Sequence, residues 1–120
     1  MAIAPERPEG YQLRAMVFRR SGAMDQAHDN AIKAVALAPT AENYVLLGLI
    51  ERQMGNAKDA GLCFAEALRI EPKNPLLWLE MGHLRMDQRN YPQAENMARK
   101  ALSMSVGDDS TQSAALRLIA

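Results

Sequence analysis

Little in this sequence supports a chemistry of its own. It has one cysteine, Cys63, and two histidines among 120 residues. A lone thiol cannot close an intrachain disulfide, so no disulfide scaffold is expected. Cys63 precedes Phe64 on an apolar segment with no basic neighbour in sequence, and reads as a small buried hydrophobe rather than a nucleophile. His28 and His83 stand far apart, neither with a second His, Cys or carboxylate at metal-ligand spacing, and His28 reads as a surface residue. There is no G-x-S-x-G, no glycine-rich loop ending in Lys-Ser/Thr and no H-E-x-x-H. No catalytic residues, metal or cofactor are therefore expected, and the chain does not read as an enzyme. Acidic and basic residues balance at 14 each, which removes the cationic excess that nucleic acid demands. The longest apolar run, Tyr44 to Ile50, is far too short to cross a bilayer, so no direct membrane insertion is expected. The opening MAIAPERPEG has neither a basic n-region nor an apolar h-region and predicts no signal peptide. A soluble protein is expected, cytoplasmic, or in a bacterial periplasm or envelope had a signal been removed.

What is present favours helix. Hydrophobic residues make up 48% and charged residues 23%, which is globular rather than disordered composition. Ala, Leu, Met, Glu and Arg are plentiful, while Val, Ile and Thr are few.

The chain also repeats itself. With Pro39 placed under Pro72, the residues Ala27, Ala31, Ala34, Val35 and Leu37 fall over Ala60, Phe64, Ala67, Leu68 and Ile70. A third set, Ala94, Ala98, Ala101, Leu102 and Met104, follows at the same interval of about 34 residues. The mixed three- and four-residue spacings mark one apolar helix face, with small residues that let a neighbour approach. Before each set stands a second amphipathic pattern in which Tyr11, Tyr44 and Trp78 align, then Ala15, Gly48 and Gly82, then Val17, Ile50 and Leu84. Between the two patterns the segments SGAMDQA and GNAKDA turn on glycine, and RNYPQA offers Asn90 as a cap and Pro92 for a first turn. Pro39 and Pro72 stop helices, Thr40 and Asn74 cap the next ones, and Pro75 suits a helix start. Helices are expected over about 8–20, 25–37, 41–53, 58–70, 75–87 and 92–105. Ser110, Asp108 and Asp109 can start a last helix whose apolar side is Ala114, Ala115, Leu116 and Ile119. That helix reads either as a cover for the last repeat or as the first helix of a further, truncated one.

An aromatic four residues before a small one, an Ala-x3-Phe and a closing Pro resemble the tetratricopeptide repeat. The stretch NYVLLGLIERQMGNAKDAGLCFAEALRIEP resembles it almost throughout. The third unit departs with Ala98 where Phe is usual and Val106 where Pro is usual; the first departs with Arg14 and Ala15 where Leu and Gly are usual. The resemblance implies an all-α fold, a right-handed α-α superhelix of three helix-turn-helix repeats plus a C-terminal helix. It implies a single domain over 1–120, with repeats at about 8–40, 41–74 and 75–108 and the last helix at 109–120. General similarity to small bacterial tetratricopeptide repeat proteins, some of them envelope lipoproteins, is the basis for the envelope alternative.

In this family the first helices of successive repeats line a concave groove where peptides commonly bind. Carried onto this chain, the groove would present Gln12, Met16, Arg19 and Arg20, then Val45, Leu49, Arg52 and Gln53, then Leu76, Leu79, His83, Met86 and Asp87. Members that hold the carboxylate tails of heat-shock chaperones use Lys, Asn and Arg at several such places. Here Met16, Val45 and Leu79 stand instead, which argues against a carboxylate clamp and for an apolar strip with an arginine edge. The implied function is a protein-interaction adaptor for an apolar or amphipathic peptide or helix bearing acidic residues. The alternative is a structural or self-assembling scaffold fragment associating through its terminal helices.

Overall fold

The computed structural model describes residues 7–104 and 109–119. Seven helices and no strand occur among the described residues: α1 (Pro8–Ser21), α2 (Met24–Leu37), α3 (Ala41–Gln53), α4 (Ala57–Ile70), α5 (Pro75–Asp87), α6 (Tyr91–Met104) and α7 (Asp109–Ile119). The six spans expected from the repeat pattern match the first six helices to within about a residue at either end. Val106 and Asp108 lie outside the described residues, as does the side chain of Ser110.

Several of the helix boundaries have an identifiable reason. Pro8 and Pro75 occupy first turns, where a missing N–H costs nothing. Thr40 Oγ1 accepts from the Asn43 N–H at 3.2 Å and Asn74 Oδ1 accepts from the Leu76 N–H at 3.0 Å, so both expected caps form. Asn90 Oδ1 accepts from the Gln93 N–H at 3.4 Å, a longer version of the same cap.

The three first helices end in one recurring motif. After α1, the Ala23 N–H donates to the Phe18 carbonyl and Gly22 takes a φ of 87°. After α3, the Asn56 N–H donates to the Glu51 carbonyl and Gly55 takes 84°. After α5, the Asn90 N–H donates to the Arg85 carbonyl, and the left-handed position is held by Arg89 at 59°. This is a Schellman ending, which needs a positive φ that glycine adopts without steric cost. The third repeat makes the same turn with an arginine, and no glycine in its sequence signals it.

The chain divides into two compact units, one running to Ala67 and one starting at Leu68. In the first, Ala15, Ala27, Ala31, Leu46 and Ile50 form a core flanked by Phe18, Met24, Leu47 and Met54. The small alanines bring α1, α2 and α3 close, and the larger side chains fill the remaining space. Phe64 is fully buried and lies over Gly48, where an added Cβ would stand 2.6 Å from the Phe64 Cε1. In the second unit, Leu79, Ala98, Ala101 and Ala115 form the core, flanked by Trp78, Leu102, Leu118 and Ile119. Here a Cβ on Gly82 would meet Leu118 Cδ1 at 3.1 Å. Both repeat glycines therefore sit at helix–helix contacts.

Two sequence expectations change. Val17, aligned with the fully buried Ile50 and Leu84, is exposed, so the repeat position that is core in α3 and α5 is surface in α1. Leu37, placed with Ala27, Ala31 and Ala34 on the apolar face of α2, is half exposed while the three alanines are fully buried.

Candidate functional site

Helical spacing places Met16, Arg19 and Arg20 on one side of α1, and Val45, Leu49, Arg52 and Gln53 on one side of α3. Within the first unit these two sides meet: Arg19 Nη1 donates to Gln53 Oε1 at 3.1 Å. Met16 is exposed, Val45 and Leu49 are half-buried, Arg20 is exposed and Arg52 is half-buried. Arg19 is half-buried, and its buried Nε donates to no acceptor among the described residues. The surface so formed is aliphatic beside cationic groups, and one guanidinium N–H is left without a protein acceptor.

In the second unit the α5 residues divide. Leu76 is 55% exposed and Met86 39%, and His83 is half-buried. Leu79, expected in the groove, is only 4% exposed and packs with Ala98, Ala101 and Ala115. The reason is α7, which packs on both α5 and α6 and takes the space a ligand would need there. Leu79 is a core residue, and it leaves the candidate surface.

The structure also joins residues that lie far apart in sequence. His28 is not a plain surface residue: about a quarter of its side chain is exposed, and its Nε2 meets the carboxylate of buried Glu51. Cys63 lines the same cleft as this pair. Burial, and then the negative charges of Glu51 and Asp59, push its thiol up to about 11, which opposes any role as a nucleophile near neutral pH. No sequence spacing announces the His28–Glu51 pair, because the two residues belong to different helices and neither is close to the other in the chain. Among the described residues, no group of three or more His, Cys, Asp or Glu is arranged to hold a metal ion, and no helix is long and apolar enough to cross a membrane.

Residues 41–74 match the tetratricopeptide repeat family. The human protein "Tetratricopeptide repeat protein 6" is 28% identical over 98 residues, covering 82% of this chain; the chain spans 19% of that relative. The TPR2B domain of yeast Sti1, solved in complex with pHsp70, superposes with a TM-score of 0.84 at 14% identity, covering 93% of this chain and 92% of that one. The Yersinia enterocolitica type III secretion chaperone SycD, solved with a peptide of the translocator YopD, gives 0.82 at 16% identity, covering 92% and 85%. At these identities the structural likeness establishes the fold, an all-α helix-turn-helix repeat solenoid.

Proposed function

We propose that this tetratricopeptide-repeat protein is a protein–protein interaction module that binds a peptide or partner helix on its first-helix faces. The observation that carries the reading is the α1–α3 surface of the first unit. There Met16, Val45 and Leu49 offer aliphatic area beside Arg19, Arg20 and Arg52, and the Arg19–Gln53 hydrogen bond links the two helices across it. Leu76, His83 and Met86 of α5 are the corresponding contacts in the second unit. The pHsp70 complex of the Sti1 domain and the YopD-peptide complex of SycD support the reading. The ligand that suits such a surface is an apolar or amphipathic segment with acidic residues. Each aliphatic ligand side chain buried there contributes roughly 1.5–3 kcal/mol. Exposed arginines contribute less, but orient the acidic residues and make binding sensitive to salt.

The test is capture of partners from the native host with wild type, Leu49→Glu, Leu76→Glu and the pair Arg19→Ala with Arg52→Ala. Circular dichroism checks that each variant remains helical. The glutamate variants should lose the partners, and the arginine pair should lose them mainly at low salt. Equal recovery by all the proteins sinks the reading.

A second reading has its own observation. Leu13 and Val17 stand one helical turn apart on α1 and both are exposed, as is Leu116 on α7. Such exposed apolar surface favours self-association. Light scattering over a dilution series separates the readings: a mass that stays monomeric at high concentration removes this one.

A further inference from the structure

Residues of α2, α3 and α4 in the first unit line a cleft that includes none of the first-helix surface residues named above. It has a volume of about 340 Å³, at the lower end of ligand-pocket sizes. Its aliphatic walls are Ile32 of α2, Leu47 of α3 and Leu62 of α4. Ile32 is 45% exposed and Leu62 62%, although fully buried Ala31 adjoins the one and fully buried Ala60 and Phe64 stand two residues to either side of the other.

The polar lining is two carboxylates, the His28 imidazole and the Cys63 thiol. Glu51 is 4% exposed and lines the cleft, with Asp59 beside it. The Glu51 Oε1 faces the His28 imidazole, which pairs with it as an ion only when protonated, and accepts no well-directed hydrogen bond among the described residues. A buried carboxylate needs charge compensation, and His28 supplies it from one side of the cleft. Burial first, and then the charges of Glu51 and Asp59, push the neighbouring Cys63 thiol up.

The fold does not demand a carboxylate here. Aligning Tyr11, Tyr44 and Trp78 places Phe18, Glu51 and Arg85 at one repeat position. In the first repeat that position carries an aromatic ring packed against the core. In the second it carries Glu51, with a cleft beside it.

We propose that this cleft is a second docking site, for a peptide segment presenting an arginine or lysine side chain between aliphatic residues. The aliphatic neighbours would cover Ile32, Leu47 and Leu62. The cationic head would reach Asp59 and share Glu51 with His28, and a guanidinium offers a carboxylate two parallel donors where an imidazole offers one. The site is independent of the α1–α3 surface and favours ligands of opposite charge.

The test uses two blocked pentapeptides, one with a central arginine flanked by leucines and one with glutamine in its place. Each is titrated into the isotope-labelled protein by NMR, up to millimolar concentration. The arginine peptide should shift Ile32, Glu51, Leu62 and Cys63 and bind more tightly than the glutamine peptide. Glu51→Gln should weaken the arginine peptide by roughly tenfold and leave the glutamine peptide unchanged. Leu62→Lys, on an exposed rim position where folding is not at stake, supplies a competing cation within the protein and should weaken it as well. Should Glu51→Gln unfold, the Leu62→Lys result and the wild-type preference between peptides decide. The proposal is overturned by no binding, by equal binding of the two peptides, by unchanged arginine-peptide affinity in Leu62→Lys, or by shifts confined to Met16, Val45 and Leu49.

Discussion

Gly48 and Gly82 hold the same place in successive repeats, yet different side chains enforce them. A Cβ at Gly48 would collide with the Phe64 ring of the same repeat, at 2.6 Å. At the place equivalent to Phe64 the next repeat has Ala98, and the closest atom to a Cβ on Gly82 is instead the Leu118 methyl of α7, at 3.1 Å. One glycine faces a fully buried ring that cannot step aside. The other faces the end of a flexible side chain on α7. A repeat position is thus constrained by whatever fills the space opposite it, and the filler can come from inside the repeat or from its successor.

The comparison can be broken most forcefully at Phe64. Phe64→Ala removes the largest fully buried side chain and should cost roughly 3–5 kcal/mol in urea unfolding. Gly48→Ala alone should cost about 1–3 kcal/mol through overpacking, and should cost little in the Phe64→Ala background. Additive losses in that double-mutant cycle would show that the ring does not enforce the glycine.

Gly82→Ala should fall within about 1 kcal/mol of wild type, since a small shift of Leu118 relieves the contact and alanine favours helix. Gly82→Leu should cost about 1–3 kcal/mol, because no shift of one methyl makes room for it. A loss for Gly82→Ala as large as that for Gly48→Ala would erase the distinction between the two repeats.

The turns give a smaller contrast of the same kind. Gly22 and Gly55 adopt positive φ without strain, whereas Arg89 adopts it against its Cβ. Arg89→Gly should raise stability by about 0.5–1 kcal/mol after allowing for the greater freedom of glycine in the unfolded chain. Unchanged or lowered stability in thermal unfolding would mean that the arginine side chain contributes something the turn needs.

The mildest effect is chemical. Cys63 should alkylate slowly near neutral pH and accelerate as pH rises toward about 11, where its thiolate forms in the folded protein. The unfolded thiol ionises at lower pH, so ionisation of this group stabilises the unfolded chain relative to the native one as pH climbs between the two values. Rapid alkylation of the native protein at pH 8 would contradict the buried, acidic setting assigned to the thiol.

The helices were legible because small residues recur at three- and four-residue intervals and because Thr40, Asn74 and the glycines punctuate them. Arg89 escaped notice because a positive φ leaves no mark on an arginine. Leu79 was misplaced because its cover comes from α7, a tertiary fact that a groove position borrowed from a repeat pattern does not contain. The His28–Glu51 pair escaped for a related reason: repeat spacing relates equivalent helices, whereas this contact joins a second helix to a first helix of the next repeat. The aliphatic and arginine character of the first-helix residues was readable, and their individual exposure was not.

The account rests most on the α1–α3 surface. A peptide selected from a random library against the wild-type protein, then mapped on it by NMR, tests that surface directly. The largest shifts should fall on Met16, Val45 and Leu49, and Leu49→Glu should abolish binding while the protein stays helical. Undiminished affinity for Leu49→Glu, with shifts elsewhere on the molecule, would contradict the account.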